Sequence, residues 1–377
     1  MDTSAAPVQR DVIVIGAGLA GSATAVVLAR RGMSVTVVDP YPTFPPLFRA
    51  EKIEPDQAAL LRKLQLFDAV QPSTRLIREI IHGRGGRILY RRPIEQFGIS
   101  YCDIVNQVRA CFPAGVDLRH GRVEAIVPDA VRPAVTLADG TRLDARLVVI
   151  ANGMGDTLTA ALGASRRMIH EDLSLAFGFM LERADGNAFD FDAVTYRPVS
   201  TADRVGYITL FRMGQHMRGN LFAYWPARDA ATRDVVRDPG AALLRLLPGL
   251  DRVISPFKVV GKVEPFKIDL YRLQDCARPG VVAIGDAYQS VCPTTGTGLS
   301  KVLTDVDVLC NAFVPDWMAS GAIDAAATAR FYAHADKTAK DEYSLRHALL
   351  GRSVSVDKSL KWRLRRMIRS LRFAHGW

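Results

Sequence analysis

A glycine-rich turn between a strand pattern and a helix pattern constrains the fold of this chain more than any other feature. Residues 12–15 (VIVI) are typical of a buried parallel strand and residues 22–31 of a helix with small side chains, and the turn GAGLAG lies between them. Gly16 permits the tight turn, Gly18 lets the backbone approach a pyrophosphate, and Gly21 lets helix and strand pack closely. We therefore predict a dinucleotide at the start of the helix, where free amides face its phosphates.

The next strand pattern supports the same prediction. It reads SVTVVD and ends at Asp39, which follows Gly18 by 21 residues. An acid at this spacing is expected to bind the hydroxyl pair of a ribose. The fingerprint does not distinguish NAD from FAD, because both cofactors present the same adenosine diphosphate half to the turn.

A second motif lies far downstream, in the segment ARPGVVAIGDAYQSVCPTTGTGLSKVLTDVDVL. GVVAI is another short buried strand, the pair Gly285 and Asp286 closes it, and a helix pattern follows from residue 299. The intervening loop begins with Pro293, which restricts the backbone, and continues with Gly296 and Gly298, which allow a wide range of backbone conformations. Such a loop can place backbone amides against a ring system, with the dipole of the following helix pointing at it.

Together the two motifs resemble the FAD-dependent monooxygenases of the para-hydroxybenzoate hydroxylase-like family, also called group A flavoprotein monooxygenases. The resemblance covers residues 11 to about 332. It implies an α/β fold class: a GR2-type FAD-binding Rossmann-like domain with an inserted antiparallel β-sheet substrate domain. The expected boundaries are 1–75, 99–175 and 268–350 for the discontinuous FAD-binding domain, 76–98 and 176–267 for the substrate domain, and 351–377 for a basic amphipathic C-terminal helix.

The resemblance also implies the residues that bind the cofactor. Asp286 corresponds to the aspartate that binds the ribityl chain, and Arg49 to an arginine that approaches the cofactor. The loop after Pro293 is expected to bring amides to the pyrimidine edge of the flavin. The complete expected set is Gly16, Gly18, Gly21, Asp39, Arg49, Gly285, Asp286, Pro293, Gly296 and Gly298.

For the reaction, the resemblance implies hydroxylation of an aromatic or other electron-rich small organic substrate by molecular oxygen, through a flavin C4a-hydroperoxide, with NADPH or NADH as a candidate electron donor. Two positions depart from the family pattern. Asn152 stands where an aspartate is usual, with no arginine after it, and Tyr101 stands where related enzymes often have an arginine. The first departure leaves a separate reductase, or reduction by the substrate itself, open as alternatives to direct NADPH use.

Catalytic side chains are unknown at this stage, because the flavin itself carries the chemistry in such enzymes. His170 is a candidate base for a phenol, and Arg218 a candidate contact for an anionic or phenolic group. No metal is expected: the five cysteines form no CxxC pair, and no histidine cluster has zinc-finger spacing.

The net charge of +10 is concentrated at the end of the chain, where seven basic residues follow Asp357. With apolar residues at helical spacing, they predict a basic amphipathic helix that either lies on an anionic membrane or docks on the FAD domain. No motif for nucleic-acid binding accompanies the charge. Without the pattern of a signal peptide or a transmembrane helix, we expect a cytoplasmic protein, with peripheral contact at the inner membrane face as the alternative.

Two other functions stay open. A flavin dehydrogenase or reductase of a lipophilic substrate, like the geranylgeranyl reductases that share both motifs, would transfer hydride without inserting oxygen. A flavin-binding adaptor for a membrane or a partner would show little turnover. Isotopic oxygen incorporation distinguishes the first from a monooxygenase, and tail-dependent binding without turnover would favour the second.

Overall fold

The computed structural model describes residues 8–49, 52–213, 216–362 and 364–365, and it places the strands in two sheets. The strands are β1 (Val8–Ile15), β2 (Val35–Asp39), β3 (Lys52–Ile53), β4 (Arg75–Arg84), β5 (Arg87–Gly98), β6 (Val116–His120), β7 (Val123–Val127), β8 (Ala134–Leu137), β9 (Arg142–Ile150), β10 (Ser165–Arg183), β11 (Ala193–Arg197), β12 (Val205–Met213), β13 (His216–Ala223), β14 (Phe257–Gln274) and β15 (Val281–Ala283).

The helices are α1 (Leu19–Ala29), α2 (Pro55–Lys63), α3 (Phe67–Val70), α4 (Tyr101–Ala110), α5 (Thr157–Ala161), α6 (Ala230–Arg237), α7 (Pro239–Leu246), α8 (Leu250–Ile254), α9 (Gly298–Asp307), α10 (Val314–Ser320), α11 (Ala325–Tyr332) and α12 (Ala335–Val356). A π-helical segment, Val308–Phe313, connects α9 to α10.

The first sheet is built around parallel strands in the order β6, β2, β1, β9 and β15, and the hairpin of β7 and β8 continues it from β9. Val14 of β1 lies between Val37 of β2 and Val149 of β9. These valines are fully buried with the apolar side chains of α1, α4 and α9. Burial of both faces explains why β1 and β2 are continuous apolar runs. The structure and the comparisons below confirm the predicted α/β fold class.

The second sheet is mostly antiparallel, in the order β14, β10, β13, β12, β11, β4, β5 and β3. One face packs on α6, α7 and α8 through buried side chains such as Phe177, Phe179 and Tyr196. The other face forms a roof over the carboxyl end of the parallel strands. The expected domain boundaries at 176 and 267 fall inside β10 and β14, because these two long paired strands run continuously from one region to the other.

The C-terminal helix α12 packs on α9. It ends at Val356, so the expected boundary between residues 350 and 351 falls inside it. Of the predicted basic helix at 351–377, residues 363 and 366–377 lie outside the described residues. In the part of the chain that the structure describes, no helix combines the length and apolarity needed to span a bilayer.

Candidate active site

The glycines in the turn between β1 and α1 have different structural roles. Gly16 has a φ of +97°, and a Cβ there would lie 2.6 Å from the Ala151 carbonyl oxygen, while a Cβ on Gly21 would overlap the Gly16 carbonyl oxygen. These two glycines are therefore required by the fold. A Cβ on Gly18 would approach nothing nearer than Phe44 and Tyr101, at 3.9 and 4.0 Å. The open side of Gly18 is a cradle that a phosphate can approach.

Asp39 lies at the end of β2, as predicted, and holds the same turn. Its carboxylate accepts hydrogen bonds from the backbone N–H groups of Ala17, at 2.7 Å, and Tyr41, at 2.9 Å. Its other close neighbour is the buried Arg109 guanidinium, 3.3 Å away. Arg109 also donates to the Ala17 carbonyl oxygen at 2.8 Å. The ribose-binding role of Asp39 stays a prediction.

Asp286 follows β15 and pairs with Arg49. The two side chains approach to 3.2 Å, and the Arg49 guanidinium lies 4.7 Å from the centre of the Phe266 ring. Gly285, at a φ of +63°, donates its N–H to the buried Asp305 carboxylate at 2.8 Å. Asp286, which is predicted to bind the ribityl chain, therefore lies on a turn held by Asp305, in contact with Arg49, which is predicted to face the cofactor.

The glycine loop after Pro293 is anchored on both sides. Gln57 of α2 donates to the Gly296 carbonyl oxygen at 2.6 Å, and the Tyr207 hydroxyl of the roof donates to the Thr294 carbonyl oxygen at 2.6 Å. A Cβ on Gly296 or Gly298 would meet nothing within 4 Å. The backbone of this loop is thus held in place and open toward the cavity that it lines, as a flavin edge requires.

The two departures from the family pattern both lie beside the first glycine turn. Tyr101, at the start of α4, hydrogen-bonds to the Leu19 backbone, and burial with the nearby Asp286 charge raises the pKa of its hydroxyl. Asn152 follows β9, and its buried Oδ1 has no hydrogen-bond partner among the described residues. An unpartnered buried carbonyl beside Gly16 can accept a hydrogen bond from a ligand.

Comparison with known proteins agrees with this geometry. A family model described as "FAD binding domain" matches residues 9–315. The chain belongs to this family. It is 23% identical over 353 residues to 6-hydroxynicotinate 3-monooxygenase of Bordetella bronchiseptica, which covers 85% of this chain and 86% of the relative. It is 24% identical over 327 residues to para-nitrophenol 4-monooxygenase of a Pseudomonas species, with 80% and 77% covered.

The solved structures include p-nitrophenol 4-monooxygenase from Pseudomonas putida, which superimposes with a TM-score of 0.76 at 18% identity, over 95% of this chain and 92% of that chain. The resemblance to the para-hydroxybenzoate hydroxylase-like family is confirmed: this chain is an FAD-dependent monooxygenase, and its cofactor is FAD. The open cradle at Gly18, the pair of Arg49 and Asp286, and the exposed loop backbone all fit that cofactor.

A cavity of about 330 Å³ lies between the loops that are predicted to bind FAD and the roof. Its lower side includes Arg49, Asp286 and the glycine loop. The roof side is mixed apolar and polar, and most of it is contributed by strands β4, β5, β11, β12 and β13. The roof residues that line the cavity are Lys52, Ile80, His82, Arg92, Gln96, Thr195, Arg197, Tyr207, Thr209, Phe211, Asn220, Phe222 and Phe266.

His82 is one of the lining residues that sequence reasoning missed. Its ring stacks on Tyr90 with centres 4.3 Å apart, and its Nε2 is buried without a hydrogen-bond partner among the described residues. Burial, and then the charges of Arg92, Arg197 and Lys52, lower the pKa of His82 to about 4. The alternation in IREIIHG, which puts Ile80 and His82 on one face of a strand, was the signal available in the sequence.

The two predicted catalytic candidates do not line this cavity. His170 lies on β10, where its Nδ1 is 2.6 Å from the Glu171 carbonyl oxygen. Arg218 is buried in β13 and pairs with Glu264 at 3.1 Å. The sequence does not reveal these positions because they depend on the pairing of distant strands. Among the described residues, no group of histidine, cysteine and carboxylate side chains is arranged to hold a metal ion.

Proposed function

We propose that this monooxygenase hydroxylates an aromatic small molecule bound in the 330 Å³ cavity. The observation that carries the proposal is that one cavity is lined both by the FAD-binding residues and by the aromatic side chains of the roof. Tyr207 and Phe222 pack with ring centres 4.9 Å apart on that roof. A ring bound beneath them would lie next to the glycine loop, in the short distance range that oxygen transfer needs.

The residues of the chain have distinct tasks in this proposal. FAD supplies the activation of oxygen and its transfer when it is bound. Arg49 and Asp286 orient the cofactor from below, and the glycine loop offers backbone N–H groups that stabilise negative charge at the edge of the flavin. The aromatic side chains of the roof exclude water from the space between ring and cofactor. Tyr207 connects roof and loop through its hydrogen bond to the Thr294 carbonyl oxygen.

The direct test is isotopic. Purified enzyme is incubated with ¹⁸O₂, NADPH or NADH, and a panel of phenols and aromatic acids, and the products are analysed by mass spectrometry. We expect one ¹⁸O atom in the hydroxylated product. Hydride transfer to a substrate without labelled oxygen would instead indicate the reductase function.

We propose NADPH or NADH as the electron donor, since Asn152 keeps a hydrogen-bonding side chain at the position of the usual aspartate. Anaerobic addition of each nucleotide should bleach the flavin absorbance. Bleaching only after addition of a reductase fraction would show that a partner protein supplies the electrons, and bleaching by the substrate alone would show that the substrate does so.

We also propose a cytoplasmic location with peripheral contact at the inner membrane face through residues 351–377. The support is the excess of basic residues after Asp357 together with apolar residues at helical spacing. Co-sedimentation of the full chain with anionic vesicles, and not with neutral ones, is the expected result.

A further inference from the structure

The substrate cavity carries an excess of positive charge. Its two lining carboxylates are each engaged by a lining cation: Asp286 by Arg49 at 3.2 Å, and Glu54 by Lys52 at 3.1 Å. Arg92 and Arg197 also line the cavity, so the lining has two more cations than carboxylates. A cavity with this balance favours an anionic ligand.

The register of the roof places these cations around His82. His82 of β4 is paired with Tyr90 of β5 and with Thr195 of β11, so the three side chains lie in one row on one face. Arg197 lies two residues beyond Thr195, and Arg92 lies two residues beyond Tyr90, so both point to that same face. The row continues from Thr195 to Thr209 and then to Asn220, which makes a polar strip across the roof.

Three buried polar atoms along this roof have no hydrogen-bond partner among the described residues: His82 Nε2, Gln96 Oε1 and Asn220 Oδ1. All three residues line the same cavity, and Gln96 and Asn220 are only 2% and 7% exposed. An unsatisfied buried polar group destabilises the protein. A ligand with hydrogen-bonding substituents at matching positions would remove that destabilisation.

His82 also reports the electrostatic field at this end of the cavity. Arg92, Arg197 and Lys52, from three different strands, all oppose its protonation, in addition to burial. The same charges act in the opposite sense on an acidic ligand, because they stabilise its ionised form. These charges therefore favour the ionised form of a carboxylic acid or a phenol placed beside His82, whereas burial of the ligand opposes it.

We propose that His82, Arg92 and Arg197 form an anion subsite in the roof, which binds the carboxylate or phenolate oxygen of a monoanionic aromatic substrate. The polar strip of Thr195, Thr209 and Asn220 then holds substituents of the ring between this subsite and the cofactor. This inference rests on the proposed function, since it assigns the substrate class of the same cavity.

The first experiment compares a charged and a neutral ligand of the same shape. The FAD-loaded enzyme is titrated with benzoate and with benzamide, and the flavin absorbance is followed. We expect benzoate to bind at least about tenfold more tightly, the effect of a hydrogen-bonded charge. The double variant R92Q/R197Q should weaken benzoate binding by about tenfold or more and leave benzamide binding within about twofold.

Arg91→Gln is the matched control. Arg91 is adjacent to Arg92 on β5, points to the opposite face and pairs with Glu79 at 2.6 Å. The substitution removes one charge from β5, as Arg92→Gln does, without touching the cavity. Equal binding of benzoate and benzamide by the unaltered enzyme, or an equal loss of benzoate binding in the Arg91→Gln variant, counts against a carboxylate subsite.

The second experiment tests phenolate binding with para-nitrophenol, whose ionised form absorbs visible light. At a pH below its own pKa, nitrophenol bound to the unaltered enzyme should show the phenolate spectrum, and the double variant should shift it toward the neutral form. The benzoate result identifies a carboxylate ligand and the nitrophenol result a phenolate.

The inference is overturned when neither probe shows a preference for the anion, which includes the case of no spectral change with any probe. If the enzyme is yellow and incorporates ¹⁸O but shows no preference for the anion, only the proposed subsite is ruled out. If the protein retains no FAD, or inserts no oxygen into any product, the proposed monooxygenase function is ruled out instead.

Discussion

Gly18 and Gly21 lie about one helical turn apart, yet one affects the space for a ligand and the other affects helix packing. Gly21 contacts the Gly16 carbonyl oxygen, so its missing side chain serves the packing of α1 on β1. Gly18 has a φ of −67°, which any residue adopts, and it has open space where a Cβ would stand. Its missing side chain therefore leaves room for a ligand.

We predict that Gly18→Val lowers FAD affinity by at least about tenfold and leaves the melting temperature of the apoprotein nearly unchanged. Gly21→Ala should destabilise the fold by about 1–3 kcal/mol or more, as overpacking does. FAD fluorescence titration and thermal unfolding of the apoprotein measure the two effects. Gly115→Ala is the control, because nothing lies within 4 Å of a Cβ at that position. A yellow Gly18→Val protein with full FAD content would contradict the assignment.

His82 makes stability depend on pH. Its pKa is about 4 in the folded protein and about 6.5 in an unfolded chain. Between these values the unfolded chain binds a proton that the native state does not, so the stability falls as the pH decreases from about 6.5 to about 4. We predict that His82→Asn has a smaller loss of stability between about pH 7 and about pH 5, measured by urea unfolding. His170→Asn, which alters a histidine outside the cavity, should keep the loss found in the unaltered protein.

At the scale of elements, α9 and α12 are joined by a buried cluster of four charged side chains. Lys301 and Lys337 are fully buried, and each contacts both Asp305 and Asp341, at 2.6 to 3.4 Å. Asp305 also accepts the Gly285 N–H, so the cluster connects the C-terminal helix to the turn that carries Asp286. The attraction of Asp305 for the two lysines holds its pKa low, although burial acts in the opposite direction.

We predict that Lys337→Met destabilises the protein by about 3–5 kcal/mol, because it leaves an uncompensated charge in the interior. Lys340→Met, on the same helix, changes a lysine that is 26% exposed and should cost less than about 1 kcal/mol. The free energies come from urea unfolding of both variants. Replacement of both Lys337 and Asp341 by apolar residues should recover part of the loss, whereas strictly additive losses would contradict the coupling.

At the scale of the whole molecule, the parts that sequence predicts are those built within one short segment. The glycine turn, Asp39 and the pair Gly285 and Asp286 are each read from one stretch of strand, loop and helix. His82 and Arg197 are 115 positions apart, and they meet only because β4 pairs with β11. Such pairing is decided by the packing of both faces of the sheet, which no local pattern contains.

The sequence did not predict the buried charged cluster of α9 and α12 for a related reason. Lysine and aspartate at i and i+4 are typical of an exposed helix face, and both Lys301 with Asp305 and Lys337 with Asp341 have this spacing. Their burial becomes favourable only when α9 and α12 place the two pairs together. The expected boundary between the FAD-binding and substrate domains does not coincide with the end of a strand, because the paired strands β10 and β14 run through both regions.

The end of the chain offers a separate test, because α12 already ends at Val356. Deletion of residues 358–377 removes seven basic residues but leaves Lys337, Asp341 and the rest of α12 in place. We predict unchanged FAD content and melting temperature, together with loss of binding to vesicles that contain anionic lipid. Each basic residue near such a surface contributes about 1 kcal/mol, so the binding of the full chain should also weaken as salt rises. Vesicle binding that survives the deletion would exclude the tail as the membrane contact, whereas loss of FAD on deletion would show that the tail docks on the cofactor domain.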